Sequence, residues 1–321
     1  MKLLKWIGGI LAVLLITGFF LSEGDLTFEE AKAILADEQS QFVEIDGIQV
    51  HYKREGIGFP IVLVHGTGAI LQTWDGWTES LTANGYEVIR MDVQSFGLTG
   101  PPNDGDYSME GYVDFLEKFI DKMAVDSFHL AGNSLGGQIA WEYAVKHQEK
   151  IGKLILSAPT GFSLADSKGS LLFTLSKQKN MAMLMKNVGT SFMVRNTLND
   201  VYFDQEKLTE DMYEKYYAAS RRAGNRDAFI YRLNEERVGN VEALTTLMVP
   251  TLLIWGDQDV LVSHTLAEEF LARIPDASLI LYENMGHIPM EEIPEKTVED
   301  VLNFLSSPEE EEESLAEEET P

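Results

Sequence analysis

The stretch that decides the fold is residues 128–137, FHLAGNSLGG, in a chain of 321 residues. Its first residues are apolar or aromatic and predict a buried strand, and its last residues begin a helical pattern that continues to about His147. Ser134 lies where the strand gives way to the helix, with Gly132 and Gly136 on either side. Because the backbone must bend sharply there, side chains at these two positions must be almost absent. The stretch therefore predicts a serine on a strained strand-to-helix turn.

Short β-branched runs recur on both sides of this stretch and alternate with helical patterns. Such an alternation predicts a parallel sheet that is covered by helices on both faces. The predicted strands are Ile61–Val64, Tyr86–Met91, Phe128–Ala131, Lys153–Leu156, Thr251–Trp255 and Leu279–Leu281. Two earlier runs, Phe42–Ile45 and Gln49–Lys53, are joined through Asp46 and Gly47 and predict an antiparallel hairpin.

The alternation stops once, in residues 161–245, where only helical stretches rich in Leu, Met, Phe and Tyr occur. We interpret this segment as a helical cap that is inserted between two strands of the sheet. The core then consists of two parts, residues 41–160 and 246–306. Three arginines of the cap are candidates for binding a substrate carboxylate, although pairing with Glu or Asp on a helix surface is commoner. These arginines are Arg221, Arg222 and Arg226.

The first 22 residues have the pattern of a membrane-targeting segment. Lys2 and Lys5 precede residues 6–21, which are uncharged and mostly apolar and cover about 24 Å as a helix. Bulky residues at 19–21 stand where a signal peptidase requires small ones, which favours an uncleaved anchor or signal. With the lysines in the cytoplasm, the rest of the chain is expected outside it, in the periplasm or at the cell surface. Secretion after signal cleavage is the alternative.

Two further segments flank the predicted core. Thr27 and Glu30 have the spacing of a capping box, which predicts a short helix from Thr27 to about Glu38 within a spacer segment, residues 23–40. Residues 307–321 contain eight glutamates and no basic residue. Such a run predicts a disordered acidic tail.

Composition excludes several classes of function. The chain has 52 Asp+Glu against 25 Lys+Arg, a formal net charge of −27, and such a field repels the phosphates of nucleic acid. It has no cysteine, which removes disulfides, thiolate zinc sites and cysteine nucleophiles. Since no His-x-x-x-His or similar cluster occurs, we expect no metal and no cofactor. The expected partners are a small-molecule acyl substrate and a membrane, and the oligomeric state stays open.

The serine of the turn needs further groups before it can react. A serine hydroxyl is a poor nucleophile at neutral pH and requires a base that a third group orients. Asp259 follows the predicted strand Thr251–Trp255, and His287 follows the last predicted strand. In a parallel sheet, both residues and Ser134 would then lie at the same edge. Asp257, in the same loop as Asp259, is the alternative acid.

Five motifs in this order resemble the α/β-hydrolase superfamily, over about residues 41–306. They are His65-Gly66-Thr67-Gly68, Gly97-Leu98-Thr99-Gly100-Pro101, Gly132-Asn133-Ser134-Leu135-Gly136-Gly137, Trp255-Gly256-Asp257-Gln258-Asp259 and Gly286-His287-Ile288-Pro289. The resemblance implies an α/β-hydrolase fold, a mostly parallel eight-stranded sheet flanked by helices, with an inserted helical cap. It also implies that Ser134 is the nucleophile, His287 the general base and Asp259 the acid that orients this base.

The same resemblance implies an oxyanion hole and the residues that support it. Backbone N–H groups of Thr67 and Leu135 would form the hole, so their side chains are free to vary. Residues of the elbow and of the oxyanion loop would support it, namely His65, Gly66, Gly132, Asn133 and Gly136. The remaining histidines match no motif and are interpreted as structural or surface residues.

The chemistry expected from these residues is acyl transfer to water. In capped folds of this kind, epoxide opening and halide removal use an aspartate at the elbow, so Ser134 excludes them. We therefore expect a serine hydrolase, in the first place a carboxylesterase that acts on small to medium apolar acyl esters through an acyl-enzyme. The alternatives are a carbon–carbon bond hydrolase of the meta-cleavage-product type and a catalytically silent ligand-binding homologue.

Overall fold

The computed structural model describes residues 24–163, 190–235 and 238–307. In these residues, eight strands form one sheet. The strands are β1 Gln41–Ile45, β2 Ile48–Gly56, β3 Phe59–Val64, β4 Tyr86–Met91, β5 Phe128–Asn133, β6 Ile151–Ser157, β7 Thr251–Gly256 and β8 Ala277–Tyr282. Their order is β1-β2-β4-β3-β5-β6-β7-β8, with parallel pairing from β4 to β8 and antiparallel pairing of β1 with β2 and of β2 with β4. The predicted fold class is confirmed.

Helices cover both faces of this sheet. The α-helices are α1 Phe28–Leu35, α2 Asp75–Ala83, α3 Met109–Met123, α4 Leu135–Lys146, α5 Thr190–Val201, α6 Glu210–Arg221, α7 Asn225–Asn234, α8 Leu266–Leu271, α9 Pro289–Glu292 and α10 Pro294–Ser306. Short 3-10 turns span Leu71–Trp74, Gln148–Lys150, Gln205–Lys207 and Val241–Thr246.

The hydrophobic core lies in two layers because side chains alternate across each strand. In β3, Val62 and Val64 contribute to one layer and Ile61 and Leu63 to the other. The first layer is completed by apolar residues of α3, α4 and α8, and the second by those of α1, α2, α5, α6 and α10. Burial on both faces explains why the central strands are almost continuously apolar.

The N-terminal hairpin is confirmed. Its turn residues Asp46 and Gly47 have φ of 50° and 76°, the left-handed values that a tight two-residue turn requires. The predicted capping box is also present, with Glu30 N donating to Thr27 Oγ1 at 3.3 Å. The helix it starts ends at Leu35, before the predicted Glu38, because Ala36 adopts an extended conformation.

The segment between β6 and β7 has the helical character predicted for the cap. Its described residues contain α5, α6 and α7 and no strand. Residues 164–189 and 236–237 lie outside the described residues, and the bounds 161–245 stay a prediction. The described part of the cap is joined to the start of the chain, because Leu26 N donates to Arg221 O at 2.7 Å and Leu26 O accepts from Ala223 N at 2.9 Å. Helix α1 buries Ala31 and Leu35 in the core, and the assignment of residues 23–40 as a spacer stays a prediction.

The membrane prediction is corrected. Among the residues that the structure describes, no helix has the length and apolar character needed to span a bilayer. The longest of these helices, α3, has 15 residues, whereas a spanning helix needs about 20. The segment named for the single-pass anchor, residues 6–21, lies outside the described residues and is itself shorter than that length. Residues 308–321 of the predicted acidic tail also lie outside them.

Candidate active site

Ser134 occupies the sharp turn between β5 and α4. Its φ of 54° and ψ of −114° are values that a residue with a Cβ rarely adopts. The turn is held by main-chain hydrogen bonds, because Ser134 N donates to Ser157 O at 2.9 Å and Ser134 O accepts from Thr160 N at 3.1 Å. Neighbouring β6 thus fixes the strained conformation that presents this serine.

The two glycines of the motif are required by close approach of the main chain. A Cβ added at Gly132 would lie 2.2 Å from Gly136 O, and one added at Gly136 would lie 2.2 Å from Val64 O. Both distances are far shorter than ordinary contacts, and the neighbours are backbone atoms that cannot turn away. The sequence interpretation of these glycines therefore agrees with the local geometry.

Gly136→Ala is expected to lower the free energy of unfolding by about 2 kcal/mol or more, because the new methyl group must push the β3 backbone away from α4. Urea unfolding followed by circular dichroism measures this loss. Gly24→Ala is the matched control, since a Cβ at Gly24 meets nothing within 4 Å. Equal unfolding midpoints for the two variants would show that the elbow tolerates a side chain.

Asp259 and His287 are in direct contact. His287 Nδ1 lies 2.6 Å from Asp259 Oδ2, and the other carboxylate oxygen, Oδ1, accepts from Leu261 N at 2.8 Å and Val262 N at 2.9 Å. Both side chains are buried. Since a carboxylate only accepts hydrogen bonds, Nδ1 of His287 carries the ring proton and Nε2 is left free to accept one.

Asp257 lies in the same loop but does not share this contact. Its carboxylate accepts from Met285 N at 3.4 Å, and its own N–H donates to Tyr282 O at 3.0 Å. Asp257 therefore connects the loop after β7 to the end of β8 and the loop that follows it. Of the two candidate acids, the structure brings Asp259 to His287.

Asn133 connects the serine turn with the histidine loop. Its Nδ2 donates to Ser157 O at 3.1 Å and to His287 O at 3.2 Å. A single buried amide thus joins the residue before Ser134 to the residue predicted as its base. Asn133 is one of the predicted support residues, and this hydrogen bond shows that it holds the His287 loop against the serine turn.

The predicted oxyanion loop passes beside the serine. A Cβ added at Gly66 would lie 3.0 Å from Asn133 Oδ1 and 3.1 Å from Ser134 Cβ. Thr67 follows directly, and Leu135 is the first residue of α4, so its N–H has no acceptor within the helix. The main chain at Gly66 therefore lies beside Ser134, and Leu135 follows Ser134 directly. The role of the Thr67 and Leu135 N–H groups in an oxyanion hole stays a prediction.

His65 supports this loop as a neutral side chain. Its Nδ1 donates to Gly66 O at 2.8 Å, and its Nε2 accepts from Val93 N at 3.0 Å. Full burial lowers the pKa of His65, which disfavours the imidazolium form. With both ring nitrogens engaged, His65 is unsuited to be the base.

Asp92 is a site-supporting residue that the sequence interpretation missed. Its carboxylate accepts from Leu71 N and Leu98 N, each at 2.8 Å, and lies 2.7 Å from His51 Nδ1. Burial alone would raise the pKa of Asp92, but His51 and the donated hydrogen bonds outweigh it and lower the pKa. Asp92 thus ties the segment after the oxyanion loop to the loop at Leu98. Its position directly after strand Tyr86–Met91 was the available signal.

The described residues offer no evident metal site. Within residues 24–163, 190–235 and 238–307, no group of three or more His, Asp and Glu side chains is arranged to hold a metal ion. The expectation of a reaction without metal or cofactor stays a prediction.

Comparisons with known proteins give the family. The family model of the alpha/beta hydrolase fold matches residues 60–294. A 2-hydroxy-6-oxo-6-(2'-aminophenyl)hexa-2,4-dienoic acid hydrolase of Metapseudomonas resinovorans is 27% identical, covering 83% of this chain and 90% of its own. Further relatives have names of the same kind, such as 2-hydroxymuconate semialdehyde hydrolase. Lipase 1 of Psychrobacter immobilis is also 27% identical, covering 78% of this chain and 77% of its own.

Among solved structures, one of a membrane phospholipase A, described as a bacterial virulence factor, is similar over a larger share of the chain. It has a TM-score of 0.72 and 27% identity, and the match covers 95% of each chain. Because the family model matches well over half of its residues, this chain belongs to the alpha/beta hydrolase fold family and is a hydrolase.

Proposed function

We propose that this hydrolase cleaves uncharged carboxylic esters through an acyl-enzyme on Ser134. The observation that carries the proposal is the 2.6 Å contact between His287 Nδ1 and Asp259 Oδ2, because it fixes the tautomer in which Nε2 can take a proton. The Asn133 amide, which holds the carbonyl of His287, supports the same assignment by joining the loop of the base to the nucleophile's turn.

The proposed reaction has two halves. In the first, Ser134 Oγ attacks the ester carbonyl while His287 Nε2 accepts its proton, and the N–H groups of Thr67 and Leu135 stabilise the negative oxygen. The tetrahedral intermediate then expels the alcohol, which takes the proton from His287. In the second half, water attacks the acyl group with the same base, releasing the acid and restoring Ser134.

An uncharged substrate is supported by the arginines of the cap. Arg221 and Arg222 donate to main-chain oxygens of residues 24 and 99, and Arg226 forms an ion pair with Asp25. The three candidates for binding a substrate carboxylate are thus directed towards protein acceptors. By their names, Lipase 1 and the phospholipase A structure support ester hydrolysis.

A second candidate is hydrolysis of a carbon–carbon bond next to a carbonyl group. It is favoured by the names of the first relatives, which act on 2-hydroxy-6-oxo dienoic acids and 2-hydroxymuconate semialdehyde, and these relatives support it more directly than they support the ester. The nucleophile, base and acid would be the same, but the substrate would carry a carboxylate or an enol. Substrate charge therefore separates the two candidates.

The test is a comparison of the two substrate classes with the full chain. We expect the kcat/KM for p-nitrophenyl esters to be at least about tenfold above that for a 2-hydroxy-6-oxo dienoic acid. Consumption of the dienoic acid is followed by its absorbance. Labelling of Ser134 by a fluorophosphonate probe is measured in parallel. The opposite preference would replace the ester by the carbon–carbon substrate, and a folded protein that neither labels nor turns over either class would contradict a serine hydrolase.

A further inference from the structure

A second buried carboxylate lies beside the histidine loop and belongs to Glu292, the last residue of α9, which is 2% exposed. Its Oε2 accepts from Gly286 N at 3.1 Å and from Phe203 N at 3.2 Å, and its Oε1 accepts from Asp204 N at 2.8 Å. Gly286 directly precedes His287, whereas Phe203 and Asp204 belong to the predicted cap. One side chain therefore joins the cap to the loop that carries the base.

The main chain of the same two segments is also in contact. His287 N donates to the carbonyl of Val201, the last residue of α5, at 2.8 Å. A Cβ added at Gly286 would lie only 2.3 Å from the same carbonyl oxygen, so the histidine loop lies directly against the cap backbone. With Asn133 holding the carbonyl of His287, both backbone polar groups of this residue are fixed, the N–H by the cap and the carbonyl by the serine turn.

A carboxylate is the group that suits this position. Three N–H groups converge on two oxygens, and a carboxylate has acceptor sites on both while donating nothing. Glutamine would present one oxygen and one NH2 group, and the NH2 group would face an N–H donor. Aspartate keeps the charge but is one methylene shorter, so it cannot reach both segments from α9.

We propose that Glu292 is a positioning residue that places His287 for catalysis by clamping its loop to residues 201–204 of the cap. The base is then fully in place only when this part of the cap is seated on the core. The inference rests on the proposed function, because it takes His287 as the general base. It adds a contribution of the cap to catalysis itself, beyond covering the substrate.

The chain offers a matched control in the neighbouring Glu291. This side chain accepts from Thr73 Oγ1 at 2.6 Å and from the Tyr216 hydroxyl at 2.8 Å, so it also joins core and cap, but these contacts do not involve residues 286 or 287. Burial raises the pKa of Glu291, which favours its uncharged form. Glutamine is therefore a close replacement there.

The experiment compares the full-length protein with Glu292→Gln and Glu291→Gln. The first readout is the rate at which a fluorophosphonate probe labels Ser134, which requires the base but no natural substrate. The second is kcat and KM for the best p-nitrophenyl ester. We expect Glu292→Gln to lower the labelling rate and kcat by about 10- to 100-fold with KM within about threefold, because misplacing a base slows the chemical step. Glu291→Gln should stay within about threefold in both readouts.

The outcomes separate the inference from the function it rests on. The positioning role would be overturned if the parent and Glu292→Gln were labelled at the same rate, or if both variants were labelled equally slowly. Either result would leave the assignment as a serine hydrolase intact. A parent protein that does not label would instead contradict the proposed function. If Glu292→Gln fails to fold by circular dichroism, Glu292→Asp takes its place and should slow labelling about tenfold, and unchanged labelling would overturn the inference.

Discussion

Ser134→Ala is expected to lower kcat for ester hydrolysis by about 10⁴- to 10⁶-fold, because no other group can form the acyl-enzyme. Alanine retains the Cβ and places no new atom in the turn, so the fold should persist. Initial rates with p-nitrophenyl esters, together with mass spectrometry of the probe-labelled protein, measure the effect.

A control variant at another serine tests whether the loss of activity is specific to Ser134 or follows from removing any serine hydroxyl. Ser80→Ala, on α2, should keep the activity and the labelling of the parent. Substantial activity in Ser134→Ala would mean that hydrolysis does not proceed through this residue, and the proposed acyl-enzyme would have to be abandoned.

Asp259→Asn is expected to lower kcat by about 10⁴-fold, the order found for the same acid-to-amide change in serine proteases. The reason lies in the hydrogen bonds around this side chain. Leu261 N and Val262 N both donate to Oδ1, so an asparagine would place its oxygen there and turn its NH2 group towards His287. That NH2 group would force Nδ1 to accept and Nε2 to carry the proton, which removes the base.

Asp257→Asn supplies the control for this prediction. Because the Asp257 carboxylate contacts Met285 N and not His287, its replacement should change kcat by less than about threefold. Should Asp257→Asn cause the large loss while Asp259→Asn does not, the acid would be assigned to the wrong residue. Steady-state kinetics of both variants on one ester decide between the two.

The sheet could be predicted from sequence because its strands are buried on both faces. The bounds predicted for Tyr86–Met91 agree with β4, whose last four residues are buried and whose first two are half-buried. The last strand begins at Ala277, earlier than the predicted Leu279, because main-chain pairing of Ala277 with Thr251 needs no apolar side chain. Main-chain pairing with a neighbouring strand does not require particular residue types, so the local sequence does not reveal it.

Some residues of the candidate site could also be predicted from sequence, and others could not. Ser134, Asp259 and His287 could be proposed because their chemistry restricts the residue type and the end of a strand restricts the position. Asp92 and Glu292 were missed because most of the groups they contact are backbone N–H groups of other loops. Any residue has such a group, so no pattern of residue types reveals these contacts. The membrane anchor at residues 6–21 was a wrong prediction because it weighed the apolar character of the segment above its length, which is below the about 20 residues that a spanning helix needs.

The placement of the site's residues along the chain also affects when the enzyme acquires its chemistry during synthesis. The proposed nucleophile is on the turn after β5, whereas the proposed acid and base follow β7 and β8, beyond the predicted cap. At ordinary rates of translation, the ribosome adds His287 on the order of ten seconds after Ser134. Throughout that interval the nascent chain carries Ser134 without its proposed base, His287. A product that ends before His287 would therefore lack the proposed hydrolytic activity, whatever part of the fold it had completed.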